Sequence, residues 1–240
     1  MNNLIMPMDN CYLTADYKHP RYLAYYKYNH WGWDLGNNDK TAPILASASG
    51  EVVVTGHDNT GGNVIIVRYD GVTDRDGKTY DVIARYLHLS SIMCKVGDKI
   101  KRGQVIGRMG NTGKVSSGPH LHIEFDTDTR PQYHTWTPTV KGSNILKAGK
   151  SATVVDPKQL LTIGPGQVLT LSSIAWGEPE DIKLPAYQED ELVAPVQPDY
   201  KTLYEQAAAE RDKAISERDW AVATLNEIKV GIQSLLNKHQ

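Results

Sequence analysis

The chain has 240 residues, 40% hydrophobic and 22% charged, so it can bury a sizeable core and has room for one medium domain with an appendage. Its formal net charge is -2, and there is no basic run with interleaved aromatic residues, which argues against a nucleic-acid-binding face. Cys11 and Cys94 are too few for a disulfide framework and lack C-x-x-C spacing, so neither a stapled scaffold nor a thiolate zinc knuckle is indicated, and their pairing stays open.

The N-terminal segment carries only a short apolar run, Leu4-Ile5-Met6, before Pro7 and has no basic residues ahead of it. It does not predict a secretory signal, and no stretch reaches membrane-spanning length. If the substrate lies outside a cell, we therefore expect the protein to leave by lysis, on a particle or by a non-standard route.

Six tyrosines crowd residues 12 to 28, and packing of amphipathic rings along the domain edge accounts for most of them. A phenol just before a catalytic segment can also donate a hydrogen bond to a developing oxyanion. Tyr25, Tyr26 and Tyr28 are the candidates, and the sequence does not choose among them.

The next segment reads His30-Trp31-Gly32-Trp33-Asp34. In an extended chain His30, Gly32 and Asp34 share one face, and the glycine leaves room between the imidazole and the carboxylate. One imidazole and one carboxylate from here, with one imidazole from a later strand, make a nitrogen and oxygen ligand set that suits zinc with one position open. Taken alone, the H-x-x-x-D pattern also fits a hydrogen-bonded turn pair.

Residues 42 to 109 are strongly β in character, with short β-branched runs at 51–54 and 63–67 separated by glycine and asparagine turns. This pattern predicts an antiparallel sheet folded over itself. The strand at 79–89 places His88 at its far end, on the face of Tyr80, Val82, Ala84 and Tyr86 if no bulge intervenes. A histidine in that position is more often structural than catalytic.

Residues 96–107 form a turn, strand, turn, strand unit that resembles part of the biotinyl and lipoyl carrier domains. Those carriers need a modifiable lysine at a hairpin tip, whereas Lys99 after Asp98 lies in the wrong part of the repeat. A carrier also has no use for the histidines of the segment 118–125, so we rank the carrier alternative low.

The segment Gly118-Pro119-His120-Leu121-His122-Ile123-Glu124-Phe125 predicts a strand entered from a turn. Alternation puts His120, His122 and Glu124 on one face, with the two imidazoles about 7 Å apart at roughly 3.3 Å per residue. One imidazole can then bind a metal while the other reaches a group bound to it. Glu124 either orients a ligand or is buried against a backbone amide.

Six motifs occur in a fixed order: HWGWDLG, ASASGEVV, YLHL, VGDKIKRGQVIG, GNTG and GPHLHIEF. Together they closely resemble the lysostaphin-type family of peptidoglycan endopeptidases over roughly residues 29 to 126, with 155–161 resembling the end of the family's domain. The resemblance implies that His30, Asp34 and His122 are zinc ligands and that His88 and His120 are two unligated histidines of the site. The connection 126–153 is longer than in many members.

Zinc held by two imidazoles and a carboxylate lowers the pKa of bound water from about 16 toward about 7. No H-E-x-x-H helix is present, so His88 or His120 is the expected proton acceptor, and the pair is expected to stabilise the oxyanion. Bacterial peptidoglycan peptides are the expected substrate, and a phage or prophage lysin or tail component is one possible context. Some relatives keep the fold but serve as structural or activator proteins, which is the alternative function.

The C-terminal third differs in composition. Residues 164–199 hold five prolines, and between 178 and 199 seven acidic residues face one lysine, which predicts an extended linker after a domain at 1–163. Residues 200–238 predict one long helix for oligomerisation or attachment, as a coiled coil or docked on a partner. Arg211 and Arg218 at core-type positions indicate a weak or hetero-oligomeric assembly.

Overall fold

The computed structural model describes residues 3–130, 143–144, 151–165, 167–176 and 183–186, together with Arg218, Thr224, Leu225 and Lys229. The chain divides into two compact units, Met1–Val196 and Gln197–Gln240. In the first unit, the described residues are mainly β, with one α-helix, α1, at Pro20–Tyr26 and two single-turn 3-10 helices at Ser151–Thr153 and Pro157–Gln159.

The strands of the described residues are short before residue 50 and long between residues 50 and 89. In chain order they are β1 Leu4–Ile5, β2 Tyr12–Ala15, β3 Trp33–Gly36, β4 Pro43–Leu45, β5 Gly50–Asp58, β6 Gly62–Thr73, β7 Thr79–Leu89, β8 Ser91–Ile92, β9 Lys99–Ile100, β10 Val105–Arg108, β11 Leu121–Asp126, β12 Val154–Val155, β13 Leu161–Thr162 and β14 Thr170–Trp176.

The largest sheet has the strand order β14-β2-β3-β11-β7-β6-β5-β9, with β12 also paired to β11. Its central pairs are antiparallel, as the sequence predicted. Short turns join the consecutive pairs β5–β6 and β6–β7, which favours antiparallel pairing there. Two pairs depart from the predicted antiparallel pattern: β14 runs parallel to β2, and β1 runs parallel to β13 in a separate two-stranded sheet. A third sheet has the order β4-β10-β8.

The two faces of the central strands have different contents. The main hydrophobic core lies on one face and includes Trp33, Tyr86, Leu121, Ile123 and Phe125. Because side chains alternate along a strand, the residues between these point to the opposite face. That second face carries charged and imidazole groups beside a small apolar cluster formed by Val64, Ile66, Ile83 and Leu87.

The strand β14 lies inside the segment 164–199 that the sequence predicted to be an extended linker. Leu169 and Leu171 alternate with Thr170 and Ser172 in a β pattern, whereas the prolines that suggested a linker lie mostly further along. The prediction missed this strand. The four described residues of 200–238 are helical; the other residues of the predicted C-terminal helix lie outside the described ones, and that helix and its coiled coil stay predictions.

Across the described part of the chain, we find no helix with the length and apolar character required to cross a bilayer.

Candidate metal centre

The site is built across three neighbouring strands on the face opposite the main core. His122 on β11 is paired with Asp34 on β3 and with Leu87 on β7. Directly opposed residues in antiparallel strands bring their side chains close together on one face. Nδ1 of His122 therefore lies 2.9 Å from Oδ1 of Asp34.

His30 reaches the same point from the loop just before β3. Its Nδ1 lies 3.0 Å from the carbonyl oxygen of Asp16, which can only accept, so Nδ1 carries the hydrogen and Nε2 keeps its lone pair. The backbone N–H of Lys18 donates to the carbonyl of His30 at 2.6 Å. Asp16 is itself fixed, since its side chain accepts a bond from Nε1 of Trp33 at 2.8 Å.

Three donor atoms from His30, Asp34 and His122 meet in the middle of this arrangement. Nε2 of His30 lies 3.1 Å from Oδ1 of Asp34 and 3.1 Å from Nδ1 of His122. A tetrahedral ion with bonds of about 2.0 to 2.1 Å keeps its ligands about 3.3 Å apart, close to the separations observed. The geometry and the donor types thus fit a divalent metal ion.

The electrostatics of Asp34 and His122 also favour a positive charge between their side chains. Burial alone raises the pKa of Asp34, but His30 and His120, together with hydrogen bonds from His122 and His30, hold it well below its usual range. Burial alone lowers the pKa of His122, but hydrogen bonds to Asp34 and Glu124 raise it to about 9. An ionised carboxylate facing two nitrogen lone pairs needs a proton or a cation between them.

His88 reaches the site because the strand β7 is irregular at this point. The register between β6 and β7 shifts from Asn63 opposite Leu89 to Ile65 opposite Tyr86, and His88 has a φ of 65°. This is a β-bulge, in which the extra residue breaks the alternation of faces. The grouping of His88 with Tyr86 was predicted only in the absence of a bulge, so it does not apply here, and the ring of His88 lies 4.8 Å from the ring of His120 instead.

The left-handed conformation of His88 is held by backbone contacts on both sides. Its N–H donates to the carbonyl of Gly61 at 2.8 Å, and its Nδ1 lies 2.8 Å from the carbonyl oxygen of Thr112. The hydroxyl of Thr112 donates to the carbonyl of Leu89 and accepts from the N–H of Asn63. Burial, with His120 and His122 nearby, lowers the pKa of His88 to about 3, so the ring is neutral with an Nε2 lone pair.

His120 lies just before β11, where Gly110 and His120 form an isolated bridge. Its Nδ1 donates to the carbonyl of Gly118 at 2.7 Å, which again leaves the lone pair on Nε2. Nε2 lies 3.6 Å from Oδ1 of Asp34, and the side chain is 15% exposed. Its ring is therefore more accessible than those of the other histidines at this centre.

The five residues that the sequence singled out as ligands or catalytic histidines come together here. The tyrosine candidates, in contrast, did not include the tyrosine that packs against this site. Tyr22 of α1 packs against His30, with ring centroids 4.8 Å apart, whereas Tyr25 is 68% exposed. A helix turns Tyr22 and Tyr26 to one side, since they are four residues apart. The candidates Tyr25, Tyr26 and Tyr28 were chosen by closeness in sequence, and a helical reading of 20–26 would have added Tyr22.

These features define a mainly β domain with a candidate divalent-metal site. Residues 28–133 match the family model described as peptidase family M23. The chain therefore contains a domain of peptidase family M23, and the resemblance deduced from the motifs is confirmed.

Two curated relatives and one solved structure illustrate the similarity. The chain is 44% identical over 89 residues to peptidoglycan DD-endopeptidase ShyA of Vibrio cholerae, covering 37% of this chain and 18% of ShyA. It is 40% identical over 101 residues to glycyl-glycine endopeptidase ALE-1 of Staphylococcus capitis, covering 42% and 25%. The catalytic domain of lysostaphin from Staphylococcus simulans is 32% identical, with coverage of 54% and 76% and a TM-score of 0.37. The chain thus spans a quarter or less of these two curated relatives.

Proposed function

We propose that this chain is a zinc-dependent endopeptidase that hydrolyses peptide bonds in bacterial peptidoglycan. The observation that carries the proposal is the convergence of His30, Asp34 and His122 beside two further histidines, His88 and His120. The names of ShyA and ALE-1, a peptidoglycan DD-endopeptidase and a glycyl-glycine endopeptidase, support the substrate class.

His30, Asp34 and His122 would hold the ion through Nε2, Oδ1 and Nδ1. Two imidazoles and one carboxylate favour zinc over the oxygen-loving cations Mg²⁺ and Ca²⁺. Zinc at such a site acts as a Lewis acid, which makes bound water more acidic and polarises a carbonyl group.

His120 is the better proton acceptor of the two remaining histidines. Its Nε2 lone pair lies 3.6 Å from Oδ1 of Asp34, so the charge it gains on protonation has a counter-charge nearby. Its side chain is also partly exposed, which reduces the cost of that charge. After protonation, Nε2–H can return the proton to the leaving amine.

His88 is suited to a different task because its ring resists protonation. Its pKa is lowered to about 3, and Nδ1 is committed to the carbonyl of Thr112. The Nε2 lone pair can accept a hydrogen bond from the attacking water and so orient it. A neutral Nε2 without hydrogen cannot donate to an oxyanion, so we assign His88 this orienting role rather than oxyanion stabilisation.

The experiment is digestion of purified cell walls that differ in cross-bridge chemistry, with and without a chelator, followed by identification of the released peptides. New N-termini that appear only with zinc would support the proposal and identify the bond. Zinc binding without cleavage of any wall would instead indicate the non-catalytic alternative, a structural or activator protein with the same fold. Cleavage that survives complete removal of the metal would refute zinc dependence.

We also propose that residues 200–238 form a helical oligomerisation or attachment module. The support is the apolar spacing at three- and four-residue steps along this segment. Sedimentation of the full chain and of a chain ending at residue 199 tests the oligomerisation. A mass that is monomeric for both, with no partner bound, would contradict it.

A further inference from the structure

Buried charged residues extend along the strand β11 from the candidate metal centre. His122, Glu124 and Asp126 alternate along this strand and share the face opposite the main core. Arg85 on β7 is paired with Glu124. Arg85 and Glu124 are fully buried and Asp126 is 2% exposed, so these charges need partners within the protein.

Each oxygen of the Glu124 carboxylate has a different partner. Oε1 accepts a hydrogen bond from Nη1 of Arg85 at 3.0 Å, while Oε2 lies 3.5 Å from Nε2 of His122. The other Arg85 nitrogen, Nη2, donates to Oδ2 of Asp126 at 2.8 Å. Glu124 therefore connects a buried arginine to the imidazole whose other nitrogen faces the metal position.

The backbone of Gly32 packs against the contact between His122 and Glu124. A Cβ atom at residue 32 would lie 3.0 Å from Cβ of Glu124 and 3.0 Å from Nε2 of His122, and it would overlap the carbonyl oxygen of Ile123. The backbone at Gly32 thus lies directly against the His122–Glu124 pair. Exclusion of water there strengthens a hydrogen bond between imidazole and carboxylate.

We propose that Glu124 is a positioning residue that fixes His122 with its hydrogen on Nε2 and its lone pair on Nδ1, and that Arg85 holds Glu124 in place for this. The inference rests on the proposed zinc function. A carboxylate accepts but does not donate, so it selects the imidazole tautomer with hydrogen on Nε2. Carboxylate contacts of this kind typically change metal affinity 10- to 100-fold.

The substitution Glu124→Gln reverses this selection with little change in shape. The glutamine amide can accept from Arg85 through its oxygen and turn its NH₂ group toward His122. That group donates to Nε2 and moves the imidazole hydrogen to Nδ1, where it blocks the metal-facing lone pair. We expect a 10- to 100-fold loss of zinc affinity, measured by competition with a chromophoric chelator on the full chain.

The matched control is Asp126→Asn, which removes the negative charge beside the other nitrogen of Arg85 and leaves the Glu124–His122 contact intact. It removes a buried charge from the same network, so it costs stability like Glu124→Gln, but we expect its zinc affinity to stay within about twofold of wild type. Thermal unfolding of both variants reports on that shared structural cost. If Glu124→Gln does not fold, Glu124→Asp carries the same test, because it keeps the charge but shortens the reach to His122.

Equal zinc affinity for wild type and a folded Glu124→Gln, or the same loss in Asp126→Asn as in Glu124→Gln, would overturn the positioning role. A wild-type protein that binds no zinc would instead overturn the proposed function, so the two failures are distinguishable.

Discussion

Nε2 of His30 and Nδ1 of His122 lie 3.1 Å apart although 92 residues separate them in the chain. Oδ1 of Asp34 completes the triangle at 3.1 and 2.9 Å. Without a cation, two imidazoles and a carboxylate at these distances must share protons to avoid facing lone pairs.

Removing one corner of this triangle should abolish zinc binding. We expect about one zinc ion per wild-type chain and almost none for Asp34→Ala or His122→Ala, since two remaining ligands hold zinc weakly. Elemental analysis after dialysis measures this. His57→Ala is the control, because His57 is exposed and its Nδ1 bonds to Asn63 instead. Retention of a full zinc ion by Asp34→Ala would contradict the assignment.

His88 and His120, the two histidines outside the proposed ligand set, should separate activity from metal content. His120→Ala and His88→Ala should keep their zinc but lose roughly 10²- to 10⁴-fold in cleavage rate, because proton transfer and water orientation are lost. Turnover of a wall-derived peptide, with zinc content measured on the same samples, tests this. A double variant that still cleaves at the wild-type rate would show that neither ring takes part.

The stability of the metal-free protein should peak near pH 6.5. His122 has a folded-state pKa of about 9 against an ordinary 6.5, so the folded state holds the extra proton and stability falls as pH rises from 6.5 to 9. His88 has a folded-state pKa of about 3, so the unfolded state takes up the proton and stability falls as pH drops from 6.5 to 3. Asp34, with a lowered pKa, adds to the acid loss.

Zinc should remove the alkaline decline, because a ligating His122 is unprotonated in the folded state. Urea unfolding at several pH values, with saturating zinc and without it, measures both curves. His122→Ala should also lose the alkaline decline in the metal-free protein. An alkaline decline of equal size with and without zinc would argue against metal binding through this imidazole.

Gly32 should tolerate no side chain. Gly32→Ala places a Cβ against the Ile123 carbonyl, Glu124 and His122, so we expect a loss of stability of about 1 to 3 kcal/mol and weaker zinc binding. Gly118→Ala is the matched control, since a Cβ there meets no described atom within 4 Å. Chemical unfolding and zinc titration of the two variants would reveal the difference, and equal behaviour would be unexpected.

The hydroxyl of Thr112 should matter for catalysis through His88. Thr112→Val removes the bonds to Leu89 and Asn63, at a cost of about 1 kcal/mol, and loosens the carbonyl that orients the ring. We expect a lower kcat with unchanged zinc affinity. Thr73→Val, which loses only an exposed contact with Thr79, serves as the comparison. A parallel loss in both variants would mean that the effect is merely structural.

Local alternation was enough to predict much of this site. The patterns around His30 to Asp34 and His120 to Glu124 put the polar groups on one face and the tryptophans and aliphatics on the other, as observed for Trp33 and Ile123. The face of His88 could not be predicted in this way. Its position depends on a bulge between β6 and β7, which is set by contacts with Gly61 and Thr112 from other parts of the chain.

Pairings between distant segments were also out of reach. The short strands β1 and β13 carry too few residues for a periodic signal, and β14 lies among prolines and acids that suggested a linker. Each of these strands is defined by pairing with a segment that is distant in the sequence. The sequence pattern therefore predicted the central strands but not these outer ones.

The pairing of Leu4 with Leu161 means that β1 is completed by a strand that lies far along the chain, at Leu161–Thr162. During synthesis, β1 cannot form its pairing until residue 162 has emerged from the ribosome. Leu4 and Ile5 lack their partner strand until then and can bind chaperones. Expression clones that end at residue 133, where the family match stops, would lack the strand that pairs with Leu4 and Ile5. Such truncations should accumulate in inclusion bodies, whereas clones that extend through residue 176 should not.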